Sequence, residues 1–327
     1  MNNGISALLI ILSLFLWYLF IKYIIKTIRR LVSPAKKKSS SIFLSEVNED
    51  KKVKVNDVKK NYDYVAELQS LVGLERVKKE VASLINFIKV QKERKDSGLN
   101  TTAISYHLVL TGNPGTGKTT VARIIAGIYK NMGILSKGQL VESDRADLIA
   151  GYEGQTATKV DKVIDSAIDG VLFIDEAYSL LQGNDDAFGK EAIAALIKRM
   201  EDDRDKLVVV LAGYTEEMRT FINGNPGFKS RFNRYIDFAD YNPGELFEIY
   251  QYQCKKQDYV VTDEGRTKLL DVFTKAYNSR DRSFGNGRYA RNIFEKTLEL
   301  QANRLSTDTS LDKNELTTIT ADDIPES

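Results

Sequence analysis

The sequence has one cysteine and one histidine in 327 residues, and each scarcity excludes a class of chemistry. Cys254, being alone, cannot form a disulfide within the chain, which fits a reducing compartment. His107, also alone, excludes the two-histidine H-E-x-x-H site of metalloproteases and argues against a zinc site built from Cys and His. The chain also lacks an excess of charge of either sign, with 47 Lys and Arg against 45 Asp and Glu. It is not a polycation built for nucleic acid, and we expect no nucleic-acid partner.

One long apolar run is present, at Ile5–Ile25, and Lys22 is its single charge. Such a run is long enough to cross the hydrocarbon core of a bilayer as a helix. Basic residues follow the run, whereas residues 1–4 carry no charged side chain, so the positive-inside rule predicts an N-terminus outside and a cytoplasmic remainder. We therefore predict a single-pass membrane anchor with a basic flank over residues 1–30, rather than a cleaved signal peptide or a buried helix. A charged, flexible tether over residues 31–65 is predicted to follow.

From residue 66 onward, the apolar pattern predicts an α/β domain. An amphipathic helix in residues 71–95 comes first. Short apolar runs then alternate with helical segments that begin near Lys118, Gln155 and Phe188, which is typical of a parallel sheet. The runs read SYHLVLTG, QLVES, GVLFIDE, KLVVVLAG and RYIDF. Three helical segments without further strands follow, so we predict an α/β domain over residues 66–241 and a small helical domain over 242–327.

The segment from Gly112 to Thr119 matches the phosphate-loop pattern G-x-x-x-x-G-K-[ST] between a predicted strand and a predicted helix. Its glycines let backbone N–H groups close around a phosphate at a helix N-terminus. Lys118 is expected to reach the β- and γ-phosphates, and Thr119 to offer its hydroxyl to Mg²⁺. The predicted contacts in and beside the loop are Gly112, Asn113, Pro114, Gly115, Thr116, Gly117, Lys118, Thr119 and Thr120. ATP and Mg²⁺ are therefore the predicted cofactors.

Two carboxylates, Asp175 and Glu176, directly follow the apolar strand residues Val171–Ile174. Ligands of open α/β sheets bind at the carboxyl ends of the strands, so both side chains are expected near the phosphates. Asp175 is a candidate for the Mg²⁺ shell, and Glu176 for orienting and deprotonating the attacking water. The second carboxylate favours hydrolysis over phosphate transfer to a small molecule.

Several arginines are candidates for stabilising charge on the γ-phosphate. Arg231, in a turn before the last strand, would reach the nucleotide of a neighbouring subunit in a ring, with Arg234 as the second choice. Arg288 and Arg291, on a helix of the small domain, would report the γ-phosphate to that domain. The alternatives are structural: a surface salt bridge for Arg231, and a basic helix face for the other pair.

Taken together, these segments resemble AAA+ ATPases, and more narrowly the family of red-type Rubisco activase and stage V sporulation protein K. The strings that carry the resemblance are LVGLERVKKEV, HLVLTGNPGTGKTTVAR, GYEGQTATK, GVLFIDEAYSL, LVVVLAGYTEEM, NPGFKSRF and NGRYARN. They cover about residues 68–323. The resemblance implies a two-part AAA+ module that works as a homo-oligomeric ring, most often a hexamer. It also implies that ATP turnover rearranges a protein substrate.

The resemblance also implies roles for individual residues. It assigns the Walker A motif to Lys118 and Thr119, Walker B to Asp175 and Glu176, the arginine finger to Arg231, and sensor 2 to Arg288. Val72 and Gly73 fall where this family runs its backbone past the adenine.

In GYEGQTATK, the resemblance implies a loop lining the central pore, where Tyr152 would grip a substrate chain. Glu153 stands beside it in place of the usual apolar residue, and Gly154 would let the loop move. A second departure concerns the residue that positions the water, often asparagine in AAA+ proteins. Here Tyr214 or Thr215 would have to serve.

The leading hypothesis is a membrane-anchored ATPase, facing the cytoplasm, that remodels or partly threads a protein substrate through its ring. The alternative is a nucleotide-gated membrane scaffold that recruits partners without threading. A built-in protease is disfavoured, because the chain has one histidine and no second catalytic domain.

Overall fold

The computed structural model describes residues 54–56, 62–101, 105–152, 154–183, 186–306 and 310–326. The chain divides into two compact units, Met1–Asp50 and Lys51–Ser327, and every described residue lies in the second. The predicted membrane span Ile5–Ile25 therefore lies outside the described residues. Within them, no helix is long and apolar enough to cross a bilayer. The predicted membrane localisation is contradicted by this finding, and the longest described helix, Glu75–Asp96, buries only one of its faces.

Six strands form one sheet in the order β1-β3-β4-β5-β2-β6, and every neighbouring pair is parallel except β1 and β3. The strands are β1 Lys54–Asn56, β2 Leu108–Gly112, β3 Leu140–Ser143, β4 Gly170–Ile174, β5 Leu207–Gly213 and β6 Tyr235–Phe238. Strands β2, β4 and β5 are buried at every position, as continuous Val, Leu and Ile runs predict for parallel strands covered on both faces. β1 lies in the segment predicted to be a tether, and three residues are too few to show a strand pattern.

Helices cover both faces of the sheet. In chain order they are α1 Tyr64–Ser70, α2 Glu75–Asp96, α3 Lys118–Asn131, α4 Arg145–Leu148, α5 Thr156–Ala167, α6 Ala187–Asp202, α7 Thr215–Asn223 and α8 Pro226–Arg231. Each face of the sheet has its own hydrophobic core, and successive residues of a strand point into different cores. Phe173 of β4 lies in the core formed with α1, α2 and α3, and its neighbour Ile174 lies in the core formed with α5 to α8. This alternation follows from the period of two along a strand.

The helical region after β6 forms a lid of four helices: α9 Pro243–Lys256, α10 Asp263–Asn278, α11 Gly287–Leu305 and α12 Lys313–Thr317. Asn242 caps α9: its side chain accepts from the Glu245 N–H at 3.0 Å, and the Glu245 carboxylate accepts from the Asn242 N–H at 2.8 Å. The lid was predicted to contain no strand. It does contain a two-stranded parallel ladder, β7 Val260–Val261 with β8 Thr318–Ile319, whose two-residue strands leave no periodic pattern.

Candidate functional site

The phosphate loop joins β2 to α3 and folds back on its own lysine. Gly115 and Gly117 have φ values of 71° and 99°, a conformation that other residues adopt only with strain. The Lys118 ammonium group donates to the carbonyl oxygens of Gly112 at 2.8 Å and Asn113 at 2.9 Å. The lysine thus binds the backbone of its own loop.

The acid pair lies at the carboxyl end of β4. The Asp175 N–H donates to Ser143 O at 3.0 Å, which fixes the end of β4 against β3. Glu176 adopts a left-handed φ of 46°, and its N–H donates to Asp175 Oδ1 at 3.0 Å. This turn leaves the Glu176 side chain exposed beside a half-buried Asp175.

Charges of the loop, the acid pair and the lid act on the same ammonium group. Burial lowers the pKa of Lys118; Asp175 raises this pKa, Arg288 lowers it further, and Glu176 raises it. An anion placed among these groups would be drawn to the lysine and the arginine. Because Lys118 is largely shielded from water, its electrostatic attraction for a phosphate is stronger than it would be in solvent.

A cleft of 760 Å³ lies between the phosphate loop, the acid pair and the lid. The predicted site residues that line it are Val72, Gly112, Pro114, Gly115, Gly117, Lys118, Thr119, Thr120, Asp175, Glu176 and Arg288, with the second lid arginine Arg291. The tertiary structure therefore gathers segments that are far apart in the sequence around one cavity.

Three predicted nucleotide contacts do not line this cleft. Asn113 turns its side-chain amide to Asp240 Oδ1 at 2.9 Å, and the buried Thr116 donates its hydroxyl to Asn113 O at 2.8 Å. Gly73 has a φ of 56°, and a Cβ there would overlap the Glu245 carboxylate. Their backbone atoms stay predicted contacts, but none of them offers the cleft a side chain.

The cleft also has walls that the sequence analysis missed. They are Tyr62, Glu67, Ser70, Leu71, Leu74, Gly213, Tyr241, Ile249, Tyr252, Gln253 and Gly287. Ile249, Tyr252 and Gln253 belong to α9. Helical periodicity predicts the buried face of this helix, but it does not show which residues at the edge of that face line a cleft with the α/β domain. Tyr241 alone had a signal, since it stands at the predicted domain boundary.

Oxygen ligands for a hard cation are present in the cleft. Thr119, which carries a hydroxyl, and Asp175, which carries a carboxylate, both line it. In the described part of the chain, no group of three or more His, Cys, Asp or Glu side chains is placed to hold a metal ion. This donor set fits Mg²⁺, which proteins usually bind through one or two carboxylates, with waters and phosphate oxygens completing its shell.

Arg231 and Arg234 lie outside the cleft of their own chain. The Arg231 guanidinium donates to Glu201 Oε2 at 2.9 Å and to Gly227 O at 3.2 Å. Within one chain, Arg231 therefore forms the surface ion pair that was the alternative to an arginine finger.

Tyr152 stands out from the turn between α4 and α5 with 75% of its surface exposed. Among the described residues other than their chain neighbours, none comes within 4 Å of a Cβ built on Gly151 or Gly154, and Gly154 has a φ of 77°. Glu153 lies outside the described residues. The two glycines that flank this segment are thus uncrowded, and Tyr152 lies away from the core, as the sequence predicts.

The two candidates for positioning the water are in different places. Tyr214 lines the cleft, whereas the Thr215 hydroxyl donates to Asp237 Oδ1 at 3.4 Å. Arg282 from the lid lies 5.3 Å above the Tyr214 ring. Of the two, Tyr214 is the residue that faces the nucleotide cleft.

A parallel sheet with a phosphate loop, an acid pair on a nearby strand and a helical lid above the cleft defines a P-loop nucleotide-binding protein. Two family descriptions match the chain: "ATPase family associated with various cellular activities (AAA)" over residues 108–240 and "AAA lid domain" over residues 242–327. The chain belongs to the AAA family of ATPases, which confirms the predicted enzyme class.

Curated relatives support this family assignment. The chain is 42% identical to Stage V sporulation protein K of Bacillus subtilis, over 79% of this chain and 80% of that protein. It is 42% identical to Protein CbbX of Cereibacter sphaeroides, over 78% and 83%. It is also 42% identical to the ESX-3 secretion system protein EccA3 of Mycobacterium tuberculosis, over 79% of this chain but 44% of that longer protein.

Solved structures agree on the fold. The FIGL-1 AAA domain superposes with a TM-score of 0.58 at 20% identity and covers 84% of each chain. The same domain in complex with ADP gives a TM-score of 0.58 at 18% identity. At these identities, the likeness concerns the fold alone.

Proposed function

We propose that this ATPase works as a homo-oligomeric ring and uses ATP turnover to remodel a protein substrate. The observation that carries the proposal is the convergence of Lys118, Asp175, Glu176 and Arg288 on one cleft below the lid. The proposed division of the chain is an ATPase domain over residues 66–241 and a lid over residues 242–327.

In this proposal, each residue of the cleft has one task. Lys118 binds the β- and γ-phosphates, and Thr119 and Asp175 would hold Mg²⁺. The ion, when bound, offsets negative charge on the phosphate oxygens. Glu176, exposed to the cleft, accepts a proton from the attacking water. Arg288 links the lid to the γ-phosphate, so that the lid responds to turnover.

A ring is supported by the place of Arg231. An arginine that stabilises transferred phosphate must touch it, yet this side chain is outside its own cleft and paired with Glu201. A second subunit can receive Arg231 beside its own Glu176, which is exposed. The released Glu201 remains largely exposed and loses little.

The role of Tyr152 as a substrate contact is supported by its exposure and by its place on the connection from β3 to β4, where it does not line the cleft. In this proposal, an aromatic ring between glycines grips a passing chain regardless of its sequence. Glu153 beside it would favour basic segments of the substrate.

Tyr152→Ala tests the threading role with a permanently unfolded protein, reduced and alkylated lactalbumin, as the probe. We expect wild-type basal ATP hydrolysis in this variant but no stimulation by the probe. The matched control is Tyr235→Ala, because Tyr235 is also an exposed tyrosine, at 48%. If stimulation of Tyr152→Ala equals that of the wild type, the threading role is wrong.

A nucleotide-gated scaffold that recruits partners without threading is the second candidate. It is favoured by one observation: the Thr215 hydroxyl donates to Asp237, so of the two candidates only Tyr214 is left at the cleft to orient water, where AAA+ proteins often have an asparagine. Slow turnover would suit a scaffold. Glu176→Gln should bind ATP without hydrolysing it, so partner recruitment that persists in this variant would support the scaffold.

A further inference from the structure

The lid and the phosphate loop are joined by direct hydrogen bonds. The carbonyl oxygens of residues 114–116 accept, in order, from Asn286 Nδ2 at 3.3 Å, the Gly287 N–H at 3.1 Å and the Tyr241 hydroxyl at 3.2 Å. The two backbones touch, because a Cβ on Gly115 would overlap the Gly285 carbonyl oxygen. Three consecutive carbonyls of the loop are thus fixed by groups from the lid and its connection.

These bonds set the direction of the loop N–H groups. In a planar trans peptide, the C=O and the N–H of one unit point in opposite directions. Holding the carbonyls of residues 114–116 toward the lid connection therefore turns the N–H groups of residues 115–117 the other way. Those N–H groups are the ones that a phosphate-binding turn presents to its anion.

Asn286 is the strained member of this arrangement. It is fully buried and has φ 49° and ψ −122°, which only glycine adopts readily. Its side chain has partners for both of its polar groups: the two Nδ2 hydrogens are shared among Pro114 O at 3.3 Å, Asp240 Oδ1 at 2.8 Å and Phe284 O at 3.1 Å, and Oδ1 accepts from the Tyr241 N–H at 2.9 Å. A side chain with these bonds at a backbone position that suits glycine points to a role that glycine would not perform.

Asp240 extends the link to the first residue of the loop. Its carboxylate accepts from Asn113 Nδ2 at 2.9 Å as well as from Asn286, and Arg280 of the lid approaches it at 3.3 Å. One carboxylate therefore binds the phosphate loop and the lid together.

We propose that Asn286 is a positioning residue that orients the phosphate loop from the lid side, so that affinity for the nucleotide phosphates depends on its side chain. The inference rests on the proposed nucleotide site. It assigns to the lid a second contribution, distinct from that of Arg288: the lid fixes the direction of the loop carbonyls.

The test is Asn286→Gly, which suits the backbone conformation but removes the side chain. We expect the Kd for a fluorescent ADP analogue to rise about tenfold, as the loss of a net hydrogen bond to a preorganised loop implies. Tyr241→Phe, which removes only the hydroxyl bound to Thr116 O, should raise this Kd about threefold. Each Kd is measured well below the melting temperature of that variant, so that lowered stability alone does not change it.

Asp258→Gly is the matched control. Asp258 also has a positive φ, 62°, and it is an exposed lid residue that does not line the cleft. The Kd of Asp258→Gly for the ADP analogue should therefore equal that of the wild type. A Kd for folded Asn286→Gly within about twofold of the wild type would overturn the proposal. If Asn286→Gly does not fold, Tyr241→Phe decides, and an unchanged Kd overturns the proposal. If Lys118→Ala also leaves the Kd unchanged, the nucleotide site itself is misplaced.

Discussion

Arg231→Ala separates the two possible roles of this arginine, because the structure gives each a different magnitude. As a surface ion pair, Arg231 and Glu201 have side-chain exposures of 24% and 56%. Exposed pairs of this kind contribute at most about 1 kcal/mol to the free energy of unfolding. Its Nε is buried without a hydrogen-bond partner in the described part of the chain, so removing that atom costs no bond. A structural role thus predicts a small change in melting temperature and unchanged hydrolysis.

As an arginine finger, the same side chain would contribute far more to the rate. Arginines that reach a transferred γ-phosphate from a neighbouring subunit raise kcat by about 10³- to 10⁵-fold. We therefore expect steady-state ATP hydrolysis by Arg231→Ala to fall by about 10³-fold while thermal unfolding shifts by only a few degrees. ATP binding should persist, because Arg231 does not line the cleft of its own chain.

Mixing two inactive variants tests the contact between subunits. Arg231→Ala keeps an intact cleft but donates no finger, whereas Glu176→Gln donates a finger but lacks the base. In rings mixed at equal amounts, about a quarter of the interfaces pair an intact cleft with an intact finger. ATPase activity should then recover to about that fraction of the wild-type rate. Hydrolysis by Arg231→Ala at the wild-type rate, or no recovery on mixing, would refute the reasoning.

Two further predictions concern stability. Gly127→Ala places a Cβ 2.5 Å from the Tyr64 ring, so we expect urea unfolding to show a loss of about 1–3 kcal/mol, recovered in part when Tyr64→Leu is added. Burial, and then Arg231, lower the pKa of His107 from 6.5 to about 4, and its Nδ1 accepts from the Val209 N–H. The unfolded chain therefore binds the proton first as pH falls from 6.5 to 4, and His107 should cost the fold about 3 kcal/mol over this range. Against His107→Asn, which does not titrate, the wild type should show the steeper pH dependence of unfolding, and a parallel dependence would contradict the pKa.

Local sequence was enough to predict the elements that carry the ATPase chemistry. The helix predicted to begin near Lys118 does begin there, and the strand that ends before Asp175 is buried throughout. These features follow from short-range rules: side-chain period, glycine at positive φ and polar residues at strand ends. The exposure of Tyr152 likewise follows from its flanking glycines and polar surroundings.

The tertiary structure alone decided how those elements meet. Asn113 and Thr116 fit the loop pattern, yet their side chains turn away from the cleft because other residues bind them. Asn286 gave no sign in the sequence of its contact with Pro114, 172 residues earlier. Sequence patterns record which face of an element is apolar, whereas a contact between domains depends on the geometry of two packed surfaces. Local patterns in the chain are thus enough to predict the parts of an ATP site, whereas the contacts that join the lid to the phosphate loop arise only when the two surfaces pack together.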